Sequence, residues 1–177
     1  LRAGTSSTLV VAILGAFSEW LKLPLGEYDM ARLAYDIERI DLAMAGGKQD
    51  QYAATFGGVN FMEFYADDKV IVNPLRIKQY YLMELAHNLV LYYTETSRLS
   101  SKIIASQSKN VTDKNIKTIE AMHQLKKQAV MMKEALLRGQ VNAIGEILDM
   151  GWQHKKKMAE GITNPFFDEI YQTAMDA

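Results

Sequence analysis

The chain has no cysteine. That excludes disulfides, thiolate nucleophiles and cysteine-bound metal, and it fits a reducing compartment, so a cytoplasmic location is expected. Charge of one sign is also missing. Twenty Lys and Arg stand against 21 Asp and Glu, for a net charge of -1. A nucleic-acid binder working through phosphate neutralisation needs a basic stripe, so no nucleic-acid partner is expected. No apolar run approaches the roughly 20 residues of a membrane-spanning helix, so no membrane partner is expected either. "STLVVAILGAF" is too short, and Ser18, Glu19 and Lys22 follow it closely. Of three histidines, His87, His123 and His154, none stands at ligand spacing from another, and all read as structural or solvated. Repeats and low-complexity linkers are absent. No initiator Met opens the chain, "LRAGTSST" reads as a loop already under way, and "YQTAMDA" still reads as helix. The sequence is therefore expected to be an internal part of a longer protein. Oligomeric state leaves no mark in it.

What is present is 49% hydrophobic, enough for a sizeable core. Leu9, Ile13, Ala16, Phe17 and Trp20 recur at helical spacing up to Pro24 and Gly26. A second helix is expected with Met30, Leu33, Ala34, Ile37 and Met44 on one stripe, ended by Gly46-Gly47. The period then changes. "GGVNFMEFYADDKVIVNPL" reads as a hairpin turning at Asp67-Asp68, and "NLVLYYT" at 88–94 reads as a third, central strand. The rest is helical. Ser97 is expected to cap a helix carrying Ile103 and Ile104. Thr112 is expected to cap a long one bearing Ile116, Ile119, Met122, Ala129, Met132 and Leu136, ended by Gly139. Val141, Ile144, Leu148 and Trp152 mark the next, and Asn164-Pro165 opens the last. The class is α+β: two helices, a few antiparallel strands, then a helical bundle.

Three constellations carry candidate chemistry. In "AGTSSTLVVAIL", Gly4 and the hydroxyls of Thr5, Ser6 and Ser7 precede an apolar helix, whose first turn leaves N–H groups free for an anion. An ordinary Ser/Thr cap is the commoner meaning of such a cluster. It is not a Walker-type loop, because no lysine follows the glycine. Glu38 stands at the edge of the second helix's apolar stripe, where an acid reaches inward to a cation; magnesium prefers one or two carboxylates plus phosphate oxygens and water. The plain alternative is a solvated acid paired with Arg39. Third, "AGGKQDQYAATFGG" frames Asp50 between two glycine pairs. Turn-making is the common use of such an Asp. Lys48 beside it suits a phosphate or a depressed carboxyl pKa, and Gln49 and Gln51 offer amides to a hydroxyl-rich ligand.

Together, "GTSST" before a helix, a helix with glutamate and then "GGKQDQYAATFGG" resemble the GHMP small-molecule kinases. "AGGKQDQYAATFGGVNFMEF" and "LVLYYTETSRLSSKII" resemble the bacterial D-glycero-D-manno-heptose 7-phosphate kinases within that superfamily, and the kinase part of the L-fucose-salvage enzymes more loosely. The family loop reads G-L-G before its hydroxyls, whereas Leu1, Arg2 and Ala3 precede Gly4 here. The family also has strands before this loop and a glycine-rich motif further on, neither of which lies in the chain.

The resemblance implies a two-domain α/β sandwich: residues 1–75 from the ATP- and magnesium-binding N-terminal domain, 76–177 from a helix-rich C-terminal domain. It implies ATP and magnesium as cofactors and phosphoryl transfer to the anomeric hydroxyl of heptose 7-phosphate, a step toward surface polysaccharide. Carried over, Asp50 is the catalytic carboxylate, Glu38 and Ser6 hold magnesium, and Gly4, Thr5, Ser6 and Ser7 cradle phosphate. Lys48 and Gln49 are taken as substrate-binding. Arg98 and Lys102 are added for the substrate's remote phosphate on charge beside a strand end. A fucose- or galactose-type acceptor is the nearest alternative. A non-catalytic helical interaction domain, using the Met-rich helices at 116–158 as a partner surface, is the other.

Overall fold

A computed structural model describes residues 5–94 and 100–176; side chains are described from residue 6 in the first segment and from residue 103 in the second. The class is helix-rich α+β, with one two-stranded antiparallel sheet. Two compact units form, one from residues 5–76 with 92–94, the other from 77–91 with 100–176.

In the first unit, α1 (Thr5–Leu21) and α2 (Glu27–Asp36) are followed by a π-helical turn at Ile37–Asp41. Then come α3 (Gln49–Phe56), β1 (Asn60–Phe64) and β2 (Val70–Pro74). The second helix stops at Leu42, short of the glycine pair, because the π turn closes it: Leu42 N–H donates to Ile37 O at 3.0 Å. Met44 consequently leaves the expected stripe and is exposed. The hairpin forms as expected, with Phe61 opposite Asn73 and Met62 opposite Val72. Asp68 takes φ 64° in its turn, a conformation Asp tolerates.

Small residues let these helices approach. Ala31 and Ala34 on α2 are fully buried, and Ala31, Tyr52 and Val72 form a core against Phe56, Met62 and Val70. Tyr28 packs edge-on to Phe56 at 4.9 Å, and its hydroxyl accepts from the Val72 N–H at 3.0 Å, tying α2 to the hairpin. The apolar stripe of α1 does not become core. Leu9, Ile13, Phe17 and Trp20 are 47–75% exposed, and the helix buries Ser7 instead. Periodicity predicts the helix and its apolar side, but burial needs a partner, and among the described residues none covers that side.

The second unit holds α4 (Gln79–Asn88), α5 (Ser100–Thr112), α6 (Ile116–Arg138), α7 (Val141–Lys155) and α8 (Pro165–Asp176). The expected central strand at 88–94 is absent. Its first residue, Asn88, ends α4, and residues 89–94 run without regular structure, with Val90 and Leu91 exposed. An apolar run becomes a strand only beside another strand, and none pairs with it among the described residues. The expected Ser97 cap lies outside the described residues.

The cap of α6 is Asn115, whose Oδ1 accepts from the Thr118 N–H at 3.1 Å; Thr112 ends α5 and its hydroxyl donates to Ser108 O. The inward face of α6 is Thr118, Ala121, Gln128 and Ala135, while Ile116 and Met122 are exposed. The repeat of seven runs Ala121, Gln128, Ala135, two alanines and a buried amide rather than a stripe of large apolar residues. Of the methionines, Met132 packs on the Ala135–Ile144–Ile147 core, but Met122, Met131 and Met150 stay exposed. Gly139 ends α6 as expected, at φ 67°, where a Cβ would strike the Tyr81 ring. Asn164 caps α8, accepting from the Phe167 N–H at 3.0 Å, with Pro165 at its first position.

Candidate functional site

The buried polar centre of the first unit joins three helices. Ser7 lies in the first turn of α1, Glu38 in the π turn after α2, and Gln51 in the first turn of α3. Each is at most 1% exposed. Ser7 Oγ donates to Glu38 Oε2 at 2.7 Å, and Gln51 Nε2 donates to the same oxygen at 2.6 Å. π turns are rare and concentrate at functional sites; this one re-aims the last turn of its helix, placing Glu38 inside and Asp41 at the exposed end.

The plain alternative, a solvated Glu38 paired with Arg39, is thereby excluded. Arg39 turns the other way, its Nε donating to Gly47 O at 3.2 Å and its guanidinium lying where a Cβ on Gly46 would collide. The first glycine pair therefore gives this loop a close approach to Arg39.

Glu38 Oε1 and Gln51 Oε1 are buried with no hydrogen-bond partner among the described residues. An orphaned carboxylate oxygen is costly, and two acceptors without a donor are what a cation or its water would satisfy. Among the described residues no three His, Asp or Glu side chains gather as a metal site. A cation here would have one carboxylate, neutral oxygens, and otherwise water or substrate. That donor set suits magnesium, which keeps waters and takes one or two carboxylates, and does not suit calcium's larger oxygen cage.

The hydroxyl on Glu38 is that of Ser7; Ser6 is exposed at the start of α1. Gly4 lies outside the described residues, as does the side chain of Thr5. Asp50 is the second residue of α3, beside Gln51, so the glycine-framed segment is a helix N-terminus and not the loop expected. "QDQYAATF" contains no helix breaker, and the chain turns only at Gly57, with φ 60°. Asp50 is half-buried, and its carboxylate has no partner among the described residues.

Lys48 does not pair with Asp50. It forms an ion pair with Asp68 in the hairpin turn and lies 5.1 Å over the Tyr35 ring. Arg32 joins them, bonded to Asp36 at 3.0 Å and to Asp68 at 3.4 Å. The hydrogen bond and charge of Lys48, helped by Arg32, hold the Asp68 carboxyl below its ordinary range. Gln49 is exposed at the start of α3. Arg98 and the Lys102 side chain lie outside the described residues. The residue that sequence reasoning undervalued is Gln51, named only as an amide for a ligand. Its signal is position: one residue after Asp50, it falls on the inward side of a helix whose other buried residue is Tyr52.

Residues 3–58 match the GHMP kinases N-terminal domain. The chain is 50% identical over 173 residues to a D-glycero-alpha-D-manno-heptose 7-phosphate kinase of Campylobacter jejuni, covering 98% of this chain and 50% of that protein. A crystal structure of a D-glycero-D-manno-heptose 1-phosphate kinase from Bacteroides thetaiotaomicron superposes with TM-score 0.71 at 50% identity, over 90% of this chain and 45% of that one. An L-fucokinase/L-fucose-1-P guanylyltransferase of Bacteroides fragilis is 25% identical over 175 residues, which are 98% of this chain and 18% of that protein. The chain thus spans about half the length of the heptose kinases it matches.

Proposed function

We propose that this chain belongs to the GHMP kinases, whose N-terminal domain its residues 3–58 match, and that residues 1–75 form the ATP- and magnesium-binding part, and residues 76–177 part of the C-terminal domain, of a cytoplasmic heptose 7-phosphate kinase. The observation that carries the reading is the buried Glu38 carboxylate, fixed by Ser7 and Gln51 through one oxygen and left unpartnered at the other.

Magnesium, when bound with ATP, neutralises charge developing on the transferred phosphoryl group. Glu38 and Ser7 would hold it, in place of the Glu38 and Ser6 pair. Ser6, exposed in the first turn of α1, would join backbone N–H groups of that turn and the neighbouring Gly4 and Thr5 in cradling phosphate. Asp50, free of other partners, accepts the proton of the sugar's anomeric hydroxyl or orients that hydroxyl in line. The sugar oxygen bonds to the γ-phosphorus, the bridge to the β-phosphate breaks, and ADP leaves with the 1,7-bisphosphate. Lys48, Gln49, Arg98 and Lys102 remain the candidate contacts for the sugar phosphate. Lys48 would exchange Asp68 for it, a change that its flexible stem permits.

The test is ADP release by a full-length protein carrying this chain, offered heptose 7-phosphate, heptose 1-phosphate, L-fucose and galactose. The 1-phosphate is included because the Bacteroides relative is named for it. Turnover is expected with the 7-phosphate. Asp50→Asn should slow it by about 10²–10⁴-fold, the usual worth of general-base work, with protection by ATP and magnesium against thermal unfolding retained. Absence of ADP release with every sugar, together with no such protection, would refute the kinase reading and favour the interaction domain. Full activity of Asp50→Asn would remove Asp50 from the chemistry.

A further inference from the structure

Among the described residues, Gln51 is the largest of the fully buried side chains, and it is polar. A glutamine wholly removed from water with half its amide unsatisfied is costly unless something completes it. The 2.6 Å contact to Glu38 Oε2 joins two acceptors if the amide is turned over, so it is Nε2, and not Oε1, that meets the Glu38 carboxylate. Oε1 is then one of two partnerless buried oxygens in this network, and the other is Glu38 Oε1. Glu38 cannot fill the need of Gln51, nor Gln51 that of Glu38, since both orphans are acceptors.

We propose that Gln51 is the positioning residue of the cation site: its N–H holds Glu38 in place, and its amide oxygen supplies a second, uncharged acceptor to the cation or to one of that cation's waters. The inference deepens the kinase reading above and rests on it. It gives α3 two tasks one residue apart, with Asp50 serving the sugar hydroxyl and Gln51 the metal. One helix turn then sets the spacing between base and cation. A neutral ligand beside a single carboxylate also limits the site's charge to −1, a weak match for a bare divalent ion and a better one for a cation that arrives with ATP.

The experiment titrates magnesium against the full-length protein at fixed, saturating ADP and reads the melting temperature. In Gln51→Leu the magnesium midpoint should rise by about 10–100-fold, the usual effect of removing an outer-shell partner of a metal ligand, while the ADP midpoint at saturating magnesium stays put. A merely structural glutamine would lower the melting temperature and leave the magnesium midpoint unchanged, and that result overturns the proposal. Gln51→Glu guards against a leucine variant that fails to fold. It sets a carboxylate against Glu38, so magnesium should raise its melting temperature more than that of the wild type; an equal or smaller rise overturns the proposal as well. No magnesium-dependent rise in the wild type would defeat the kinase reading itself, a different outcome from a normal wild type with an unchanged variant.

Discussion

Glu38→Gln is expected to stabilise the protein in the presence of a chelator while removing its response to magnesium. The carboxylate accepts two hydrogen bonds, from Ser7 and Gln51, at 1% exposure. A hydrogen bond to a charged group contributes about 1.5–3 kcal/mol and a neutral one about 0.5–1.5, so the substitution forfeits roughly 2–3 kcal/mol over the two. Against this stands a buried carboxylate with no ion-pair partner among the described residues; the effective desolvation of a buried ion costs several kcal/mol, taken as about 4. The new amide also places a donor among acceptors that have none. The balance favours the variant by about 1–2 kcal/mol. At about 2–4 °C per kcal/mol for a domain of 150–250 residues, the melting temperature in chelator should rise by roughly 2–8 °C. Differential scanning calorimetry with chelator, then with magnesium and ADP, reads both halves. A variant several degrees less stable in chelator would show Glu38 to be a structural acceptor whose charge is already compensated, and the cation argument would fall with it.

Ser7→Ala should lose about 1–3 kcal/mol, because it strips a donor from a buried charge, and should weaken the magnesium response; Ser6→Ala, at an exposed position, should stay within about 0.5 kcal/mol. Urea unfolding of the pair decides it, and the reverse order would refute the assignment of the hydroxyl to Ser7. Asp68→Asn tests the turn's ion pairs. The folded-state pKa of Asp68 lies below its ordinary value, so its contribution is present above the ordinary carboxylate range and disappears as pH falls through the depressed value. Melting curves of wild type and variant should differ at neutral pH and converge in acid; parallel curves would contradict this. Asn115→Ala should cost about 1 kcal/mol through loss of the α6 cap, and Thr112→Ala clearly less. Equal losses in urea would show that the cap is not where the hydrogen bond places it.

Glu38 was visible in the sequence as an acid at the edge of an apolar stripe, but which way it turned was not. That depends on a π turn, whose i→i+5 hydrogen bond leaves no mark in a pattern read at 3.6. Ser6 and Ser7 are indistinguishable by composition, and only the angle at which α1 meets the π turn selects Ser7. Lys48 reads from adjacency as suiting a phosphate or lowering the Asp50 carboxyl, whereas its partner is Asp68, 20 residues away in the hairpin turn. The helix-ending Gly139 and the Asn164-Pro165 start were legible because their signals are local backbone chemistry. The inward face of α6 was not, because Thr118, Ala121 and Gln128 do not register as core residues. The 88–94 strand failed for the opposite reason: its residues have strand propensity, but strand formation is a property of pairs.

The buried network belongs wholly to residues 5–56, and the segments it joins are 31 and 13 residues apart in sequence. Each of its three side chains holds another or presents an unfilled acceptor. On the kinase reading proposed above, this network belongs to the donor side of phosphoryl transfer and is separate from the sugar. The two half-identical relatives fit this division. They match the chain equally at 50% identity, yet their names assign different heptose phosphates. If donor and acceptor sides are separate in this way, the magnesium midpoint of a full-length protein should be the same whichever sugar is offered. A midpoint that moves with the acceptor would mean that the sugar reaches the Glu38 cluster, and Gln51 would then answer to both.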